Sequence, residues 1–176
     1  MNVLILTYWS FKEPLTQAAV MPYLKMIQKA QNSEGKIWLL SLEKPHLRLT
    51  SNEKAIWQEA IDQLGIELIL RPYHPFGFRA LISWASTLWQ LVKICKYEKI
   101  KVVHAFGSPA GSAAQVLHRF LKIPYVIDSY EPHAESMVEN GSWKKNGLAF
   151  RILDHFENKI ARQATAVVAT TASMKE

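Results

Sequence analysis

The chain of 176 residues contains one cysteine, Cys95. No disulfide framework can therefore hold the fold, and the protein suits a reducing compartment, the cytoplasm. Cys95 lies in an apolar helical stretch and reads as a buried side chain, not a reactive thiol. No basic segment precedes the apolar start MNVLILTYW and no small-residue cleavage site follows it, so this is a first strand and not a leader. The most apolar stretch, Tyr73 to Cys95, is too interrupted to cross a bilayer, which takes about 20 consecutive apolar residues. There is no run of five like charges, no basic stripe interleaved with aromatics and no recognised binding motif, which argues against nucleic acid as a partner. Neither a GxGxxG nor a GK[ST] ending occurs, so dinucleotide and P-loop signatures are absent. The histidines His46, His74, His104, His118, His133 and His155 lack metal-ligand spacing with a partner acid, and no metal is expected.

What is present is a globular composition, 49% apolar and 20% charged, in a length that suits one domain over residues 1–176. The net charge of +6 is spread along the chain and favours anionic partners weakly; an anionic membrane surface and a phosphate-bearing substrate fit equally well. Short apolar runs at Val3 to Thr7, Ile37 to Leu42, Ile66 to Leu70, Val102 to Phe106, Tyr125 to Ile127 and Ala166 to Ala169 read as strands. Between them, helical spacing covers Leu15 to Ala30, Thr50 to Leu64, Phe78 to Tyr97, Gly107 to Phe120 and about Gly147 to Arg162. Pro22 predicts a kink or a late start in the first helix. Thr50 with Glu53 forms a capping-box signature, and Gly65 closes the helix it opens. The alternation predicts the α/β class with a Rossmann-like, doubly wound parallel sheet.

Lys99 to Gly141 reads as a β-α-β unit whose second strand runs into a polar loop carrying Asp128, Glu131, His133 and Glu135. In open parallel sheets, ligands bind outside the carboxyl ends of the strands, where these loops must lie. In Gly107-Ser108-Pro109-Ala110-Gly111, free N–H groups at the helix start suit a phosphate or carboxylate, or else the small residues let helix and strand pack closely. After the last strand, Ser173 and Glu176 repeat the capping-box spacing, so a further helix is expected to begin there and the chain to be the amino-terminal part of a longer protein.

The order of elements, with VVHAFGSPAGSAAQVLHRFLKIPYVIDSYEPHAE in the middle and FENKIARQATAVVATTASMKE at the end, resembles the amino-terminal domain of a two-domain GT-B glycosyltransferase of the family 4 group. The matching features are a strand ending in His-Ala before a small-residue helix start, an Ile-Pro before the next strand, and a helix carrying Glu ahead of Ala-Val-Val-Ala-Thr-Thr-Ala-Ser. The resemblance implies transfer of a sugar, with retention, from a nucleotide-sugar donor to a glycan or lipid-linked acceptor, as in polysaccharide biosynthesis. It places the acceptor on this domain and the donor nucleotide on a carboxyl-terminal domain that this chain lacks, so the chain alone is expected to fold and not to catalyse. The donor is then a substrate, with no cofactor.

Within that reading His133, Asp128 and Glu131 are the candidate catalytic residues. His133 either hydrogen-bonds a sugar hydroxyl and stabilises an oxocarbenium-like transition state, or caps a local turn. Asp128 and Glu131 either meet acceptor hydroxyls, one acting as a base, or, for Asp128, satisfy backbone N–H groups. Glu135 reads as a first-turn helix carboxylate. Candidate substrate-binding residues are Trp9, Ser10, Phe11 and Lys12 of the first loop together with Gly107 and Ser108. The first loop lacks the Gly-Gly pair common in relatives, which points away from donor phosphate and towards an acceptor wall made by Trp9 and Phe11. Carboxylates so close in sequence do not straddle a glycosidic bond, which ranks hydrolysis low. The stretch Tyr73 to Cys95 is either a core helix or an interfacial surface for a lipid-linked acceptor, with the protein peripheral at the inner membrane face. Two alternatives are a non-catalytic sugar-binding module and a GT-B-type nucleotide-sugar epimerase.

Overall fold

The computed structural model describes residues 1–31, 34–75, 77–129 and 133–169. The chain divides into two compact units, Met1–Lys101 and Val102–Glu176. Each is built on three parallel strands, in the order β3-β2-β1 in the first and β4-β5-β6 in the second. The α/β, Rossmann-like parallel class expected from the sequence is the class observed.

In the first unit, β1 (Val3–Thr7) pairs with β2 (Ile37–Glu43) from Val3 opposite Ile37 to Leu6 opposite Leu40. Strand β2 in turn pairs with β3 (Ile66–Pro72) from Ile37 opposite Ile66 to Glu43 opposite Pro72. Every residue of β1 is buried, which is why its sequence is an unbroken apolar run and not an alternating one. The first helix does not run smoothly from Leu15 to Ala30. A π-helical turn, Thr16–Val20, leads into α1 (Met21–Ala30), with Pro22 in the first turn of α1. A proline there needs no N–H donor, and the irregularity falls just before it.

Helix α2 (Ser51–Asp62) opens on the complete capping box: Glu53 N donates to Thr50 Oγ1 at 3.3 Å, and Thr50 N to Glu53 Oε2 at 2.8 Å. That Thr50 backbone bond, followed by Lys12, lowers the Glu53 carboxyl to about 2, so this interaction stabilises above the ordinary carboxylate range and is lost as the pH falls from 4.5 towards 2. Helix α3 (Phe78–Tyr97) matches its expected span and buries Thr87, Leu91 and Cys95. Burial raises the Cys95 thiol to about 12, as fits an inert core side chain.

In the second unit, β4 (Val102–Phe106), β5 (Tyr125–Ser129) and β6 (Ala166–Ala169) pair in parallel register, Phe106 opposite Asp128 and Asp128 opposite Val168. Helices α4 (Ser108–Leu121), α5 (His133–Glu139) and α6 (Leu148–Gln163) complete it. Glu135 stands in the first turn of α5, as a carboxylate favoured by the helix dipole should. The Tyr125 hydroxyl, pushed up to about 12 by burial, donates to the Ile160 carbonyl at 2.7 Å and fixes β5 to α6. The capping-box pair Ser173 and Glu176 lies outside the described residues.

Gly111 shows why α4 starts with small residues. A Cβ added there would lie 2.6 Å from Ile127 Cδ1 and 3.1 Å from Ile160 Cγ2. Gly111→Ala is expected to lower stability by about 2 kcal/mol despite the better helix propensity of alanine. Ile127→Val, which removes the clashing Cδ1, should recover about 1 kcal/mol of that loss in the double variant, as chemical denaturation of the four proteins in the cycle will show. Additive losses would mean that α4 and β5 are not in the close contact seen here.

Candidate functional site

The loop after β1 is held by carboxylates supplied from its own unit. Glu43, the last residue of β2, is 4% exposed, and its Oε1 accepts from Phe11 N at 2.9 Å and from Ser41 Oγ at 2.6 Å. Ser10 N donates to Glu13 Oε2 at 2.8 Å, while Lys44 Nζ binds Glu13 Oε1 at 2.6 Å. Ser10 Oγ donates to the Leu42 carbonyl at 3.2 Å and accepts from Lys44 N at 2.8 Å. Lys12 reaches α2 and pairs with both oxygens of Glu53, at 2.9 and 3.1 Å. The Ser10 and Phe11 amides therefore already carry anionic partners, and a phosphate brought to them would be repelled.

This arrangement corrects the expected aromatic wall. Phe11 is 0% and Trp9 4% exposed. Phe11 packs edge-on against Trp57 of α2, with ring centroids 5.3 Å apart, and the Trp9 carbonyl, 2.9 Å from Ser41 Oγ, shares with Glu43 the single proton of that hydroxyl. These residues serve the core because the loop folds back over the end of β2, and Ser10, also fully buried, is one of its ties. Lys12 keeps a partly exposed ammonium group.

In the second unit, β4 is followed by Gly107, whose φ of 79° is a conformation open to glycine and strained for other residues. Its N–H donates to the Asp128 carbonyl at 2.8 Å, which joins the ends of β4 and β5. Ser108 and Ala110 follow in the first turn of α4, where backbone N–H groups have no intrahelical acceptor. Ser108 is buried, and its carbonyl accepts from Ser112 Oγ at 3.1 Å. Asp128 is 2% exposed at the carboxyl end of β5. Glu131 lies outside the described residues.

His133 is the first residue of α5 and half-buried, its ring set edge-on to Trp143 at 6.4 Å between centroids. Its position is fixed by a residue that sequence reasoning passed over. Glu157 of α6 accepts from His133 N at 2.7 Å through one oxygen and from Ala134 N at 3.2 Å through the other. One carboxylate thus caps the start of α5 across 24 residues of chain. A signal for it existed: Leu153, Phe156, Glu157 and Ile160 follow the i, i+3, i+4, i+7 spacing, which puts a carboxylate on the inward stripe of an amphipathic helix. Such a group needs N–H partners. Glu43 carries the same signal, at the end of a strand that is buried at nearly every residue.

The second unit therefore places Gly107, Ser108 and Asp128 at the carboxyl ends of two adjacent strands, where parallel α/β proteins hold ligands, while His133 opens α5 on the Glu157 carboxylate of α6. The Gly107 N–H is already taken by the Asp128 carbonyl and Pro109 has none, which leaves the Ser108 and Ala110 amides at the start of α4.

Residues 46–176 match the family described as a glycosyl transferase 4-like domain. No curated protein matches the chain. Among solved structures, the chain is similar to sucrose-phosphate synthase from Thermosynechococcus elongatus, at 9% identity and a TM-score of 0.64, over 99% of this chain and 44% of that one. It is also similar to a putative UDP-N-acetylglucosamine 2-epimerase from Listeria monocytogenes, at 8% identity and a TM-score of 0.60, over 98% and 40%. MurG of Acinetobacter baumannii is similar at 16% identity and a TM-score of 0.53, over 96% and 40%. At such identities the likeness concerns the fold. The chain spans less than half the length of each of these proteins.

Proposed function

The chain belongs to the glycosyl transferase 4-like domain family, and from that premise we propose that it is the amino-terminal, acceptor-side domain of a two-domain glycosyltransferase. The complete enzyme moves a sugar, with retention, from a nucleotide-sugar to a glycan or lipid-linked acceptor. The observation that carries this reading is the family match over residues 46–176, which includes β4 and β5 with Gly107, Ser108 and Asp128 at their carboxyl ends. His133 is assigned to the sugar hydroxyl or the charge that develops on the sugar ring as the bond to the leaving group breaks. Ser108 is assigned to an anionic or hydroxyl-rich part of the substrates, Gly107 to the turn that presents it, and Asp128 to the strand end that its carbonyl ties to Gly107. The donor enters as substrate and no cofactor takes part. A carboxyl-terminal domain supplies the nucleotide site, so this chain alone leaves the donor intact.

The test uses the complete gene product with a panel of nucleotide-sugars, reading nucleotide release and the fate of the sugar. Transfer to an acceptor is expected, and His133→Ala should lower kcat by about a hundredfold with a smaller change in donor KM. One similar fold belongs to a putative epimerase, which keeps a second reading in view. Appearance of an epimerised nucleotide-sugar, with no net nucleotide release and no acceptor product, would establish that reading and overturn transfer.

A further inference from the structure

Between the end of β3 and the first turns of α3 lies a pocket of about 330 Å3, lined by Arg71, His74, Arg79, Ile82, Ser83 and Ser86. The Arg71 guanidinium is aimed by hydroxyls, its Nε donating to Thr87 Oγ1 at 3.3 Å and one terminal nitrogen to Ser86 Oγ at 2.9 Å. Neither contact neutralises it. Among the described residues neither Arg71 nor Arg79 is in an ion pair with a carboxylate. No Asp or Glu occurs between Glu67 and Glu98, a span that holds Arg71, Arg79, Lys93 and Lys96. Two guanidiniums, an imidazole and two serine hydroxyls, with no carboxylate nearby in sequence, have the chemistry of a phosphate receptor.

Beside the pocket, α3 turns large apolar side chains to water: Phe78 is 77%, Leu81 60%, Ile82 55% and Trp89 65% exposed. Phe78, Ile82, Ala85 and Trp89 follow one helical stripe, opposite the buried Thr87, Leu91 and Cys95. Lys93 and Lys96 continue that stripe, and Lys93 Nζ stands 5.1 Å from the centre of the Trp89 ring. Apolar and aromatic side chains bordered by cations and a phosphate-type pocket are the pattern of a helix that lies in a membrane interface. Among the described residues no helix is long and apolar enough to cross a membrane, so contact there is peripheral. A second copy fits poorly, because a two-fold contact through this face would set the same positive charges against one another.

We propose that α3 docks on an anionic membrane, with Phe78, Ile82 and Trp89 in the acyl boundary and a lipid headgroup phosphate held by Arg71 and Arg79. This goes beyond the transferase reading and does not rest on it.

The test is sedimentation of the complete gene product with vesicles of phosphatidylcholine alone and of phosphatidylcholine with phosphatidylglycerol, with no donor present. Binding is expected to the anionic vesicles, to weaken with salt, and to be far weaker on the neutral ones. Arg71→Gln with Arg79→Gln should lower anionic-vesicle affinity about 30-fold. Phe78→Ser and Trp89→Ser should each lower it about tenfold. Both aromatics are exposed, so these two variants should melt as the parent does, and a melting scan of every variant separates lost docking from lost folding. Absence of binding to anionic vesicles overturns the proposal, as does unchanged binding by the arginine double variant. A dimer that dissociates in Trp89→Ser, with no vesicle binding by the parent, would assign the face to a second copy instead. Because no transfer is measured, failure here leaves the transferase reading standing, and failure of that reading leaves this one standing.

Discussion

As the pH falls from about 6.5 to about 4, the protein is expected to lose about 3 kcal/mol of folding stability through one imidazole, that of His104. His104 lies in β4, 8% exposed, with its ring stacked on Phe106 at 4.5 Å between centroids and 17° between planes. Burial disfavours the imidazolium and lowers the group from its usual 6.5 to about 4. The sign follows from which state holds the proton. Above the unfolded value both states are neutral and stability is full; between the two values the unfolded chain binds a proton that the folded chain refuses, and stability drains away. Below about 4 both states are charged and this contribution has gone. Denaturant unfolding at a series of pH values reads the slope directly. His104→Phe keeps a ring against Phe106 and should flatten it. A wild-type midpoint that does not move over this window would show that the imidazole is not buried as described. The loss from Glu53 belongs mainly to more acid conditions, since its carboxyl titrates near 2 in the folded chain, so the two effects separate along the pH axis.

Glu157→Ala in the complete enzyme should reduce transfer by about a hundredfold, on the proposed assignment of His133, although Glu157 touches no substrate in that reading. Its two oxygens fix the first two amides of α5, and His133 is the first of them. Removing the carboxylate leaves those amides without their acceptor and costs about 2 kcal/mol of stability, while misplacement of a reacting group by about 1 Å is enough for the rate effect. A positioning role makes a further demand. Glu157→Gln, whose single carbonyl oxygen can still accept from one of the two amides, should recover more activity than Glu157→Ala, and the loss should fall on kcat more than on KM. Full activity in Glu157→Ala would remove α5 from the working site.

What the sequence disclosed follows the range of the forces involved. The capping box at Thr50 and Glu53 involves two residues three apart, and it forms as read. The strands show because burial on both faces demands apolar runs such as VLILT. Strands β3 and β5 run two residues past their expected ends, to Pro72 and Ser129, because parallel partners continue the ladder and the chain's own composition does not record a partner. The irregular turn before Pro22 was visible as a break but not as a π-turn. The ties at the candidate site were the least legible. Glu43 meets Phe11 across 32 residues and Glu157 meets His133 across 24, distances over which no local pattern survives. For the same reason Trp9 and Phe11 read as offered to a ligand: nothing near them in the chain announces Trp57 or Ser41.

The loop after β1 has a consequence for how tightly anything can bind beside it. With Ser10 and Phe11 amides tied to Glu13 and Glu43, the loop reaches its working shape during folding, and no conformational entropy is left to be lost when a ligand arrives. Its backbone should exchange hydrogen with solvent only as slowly as the core strands do, whether or not substrate is present. Reshaping this loop would therefore mean replacing the buried Glu43 and the partly exposed Glu13 before any surface residue.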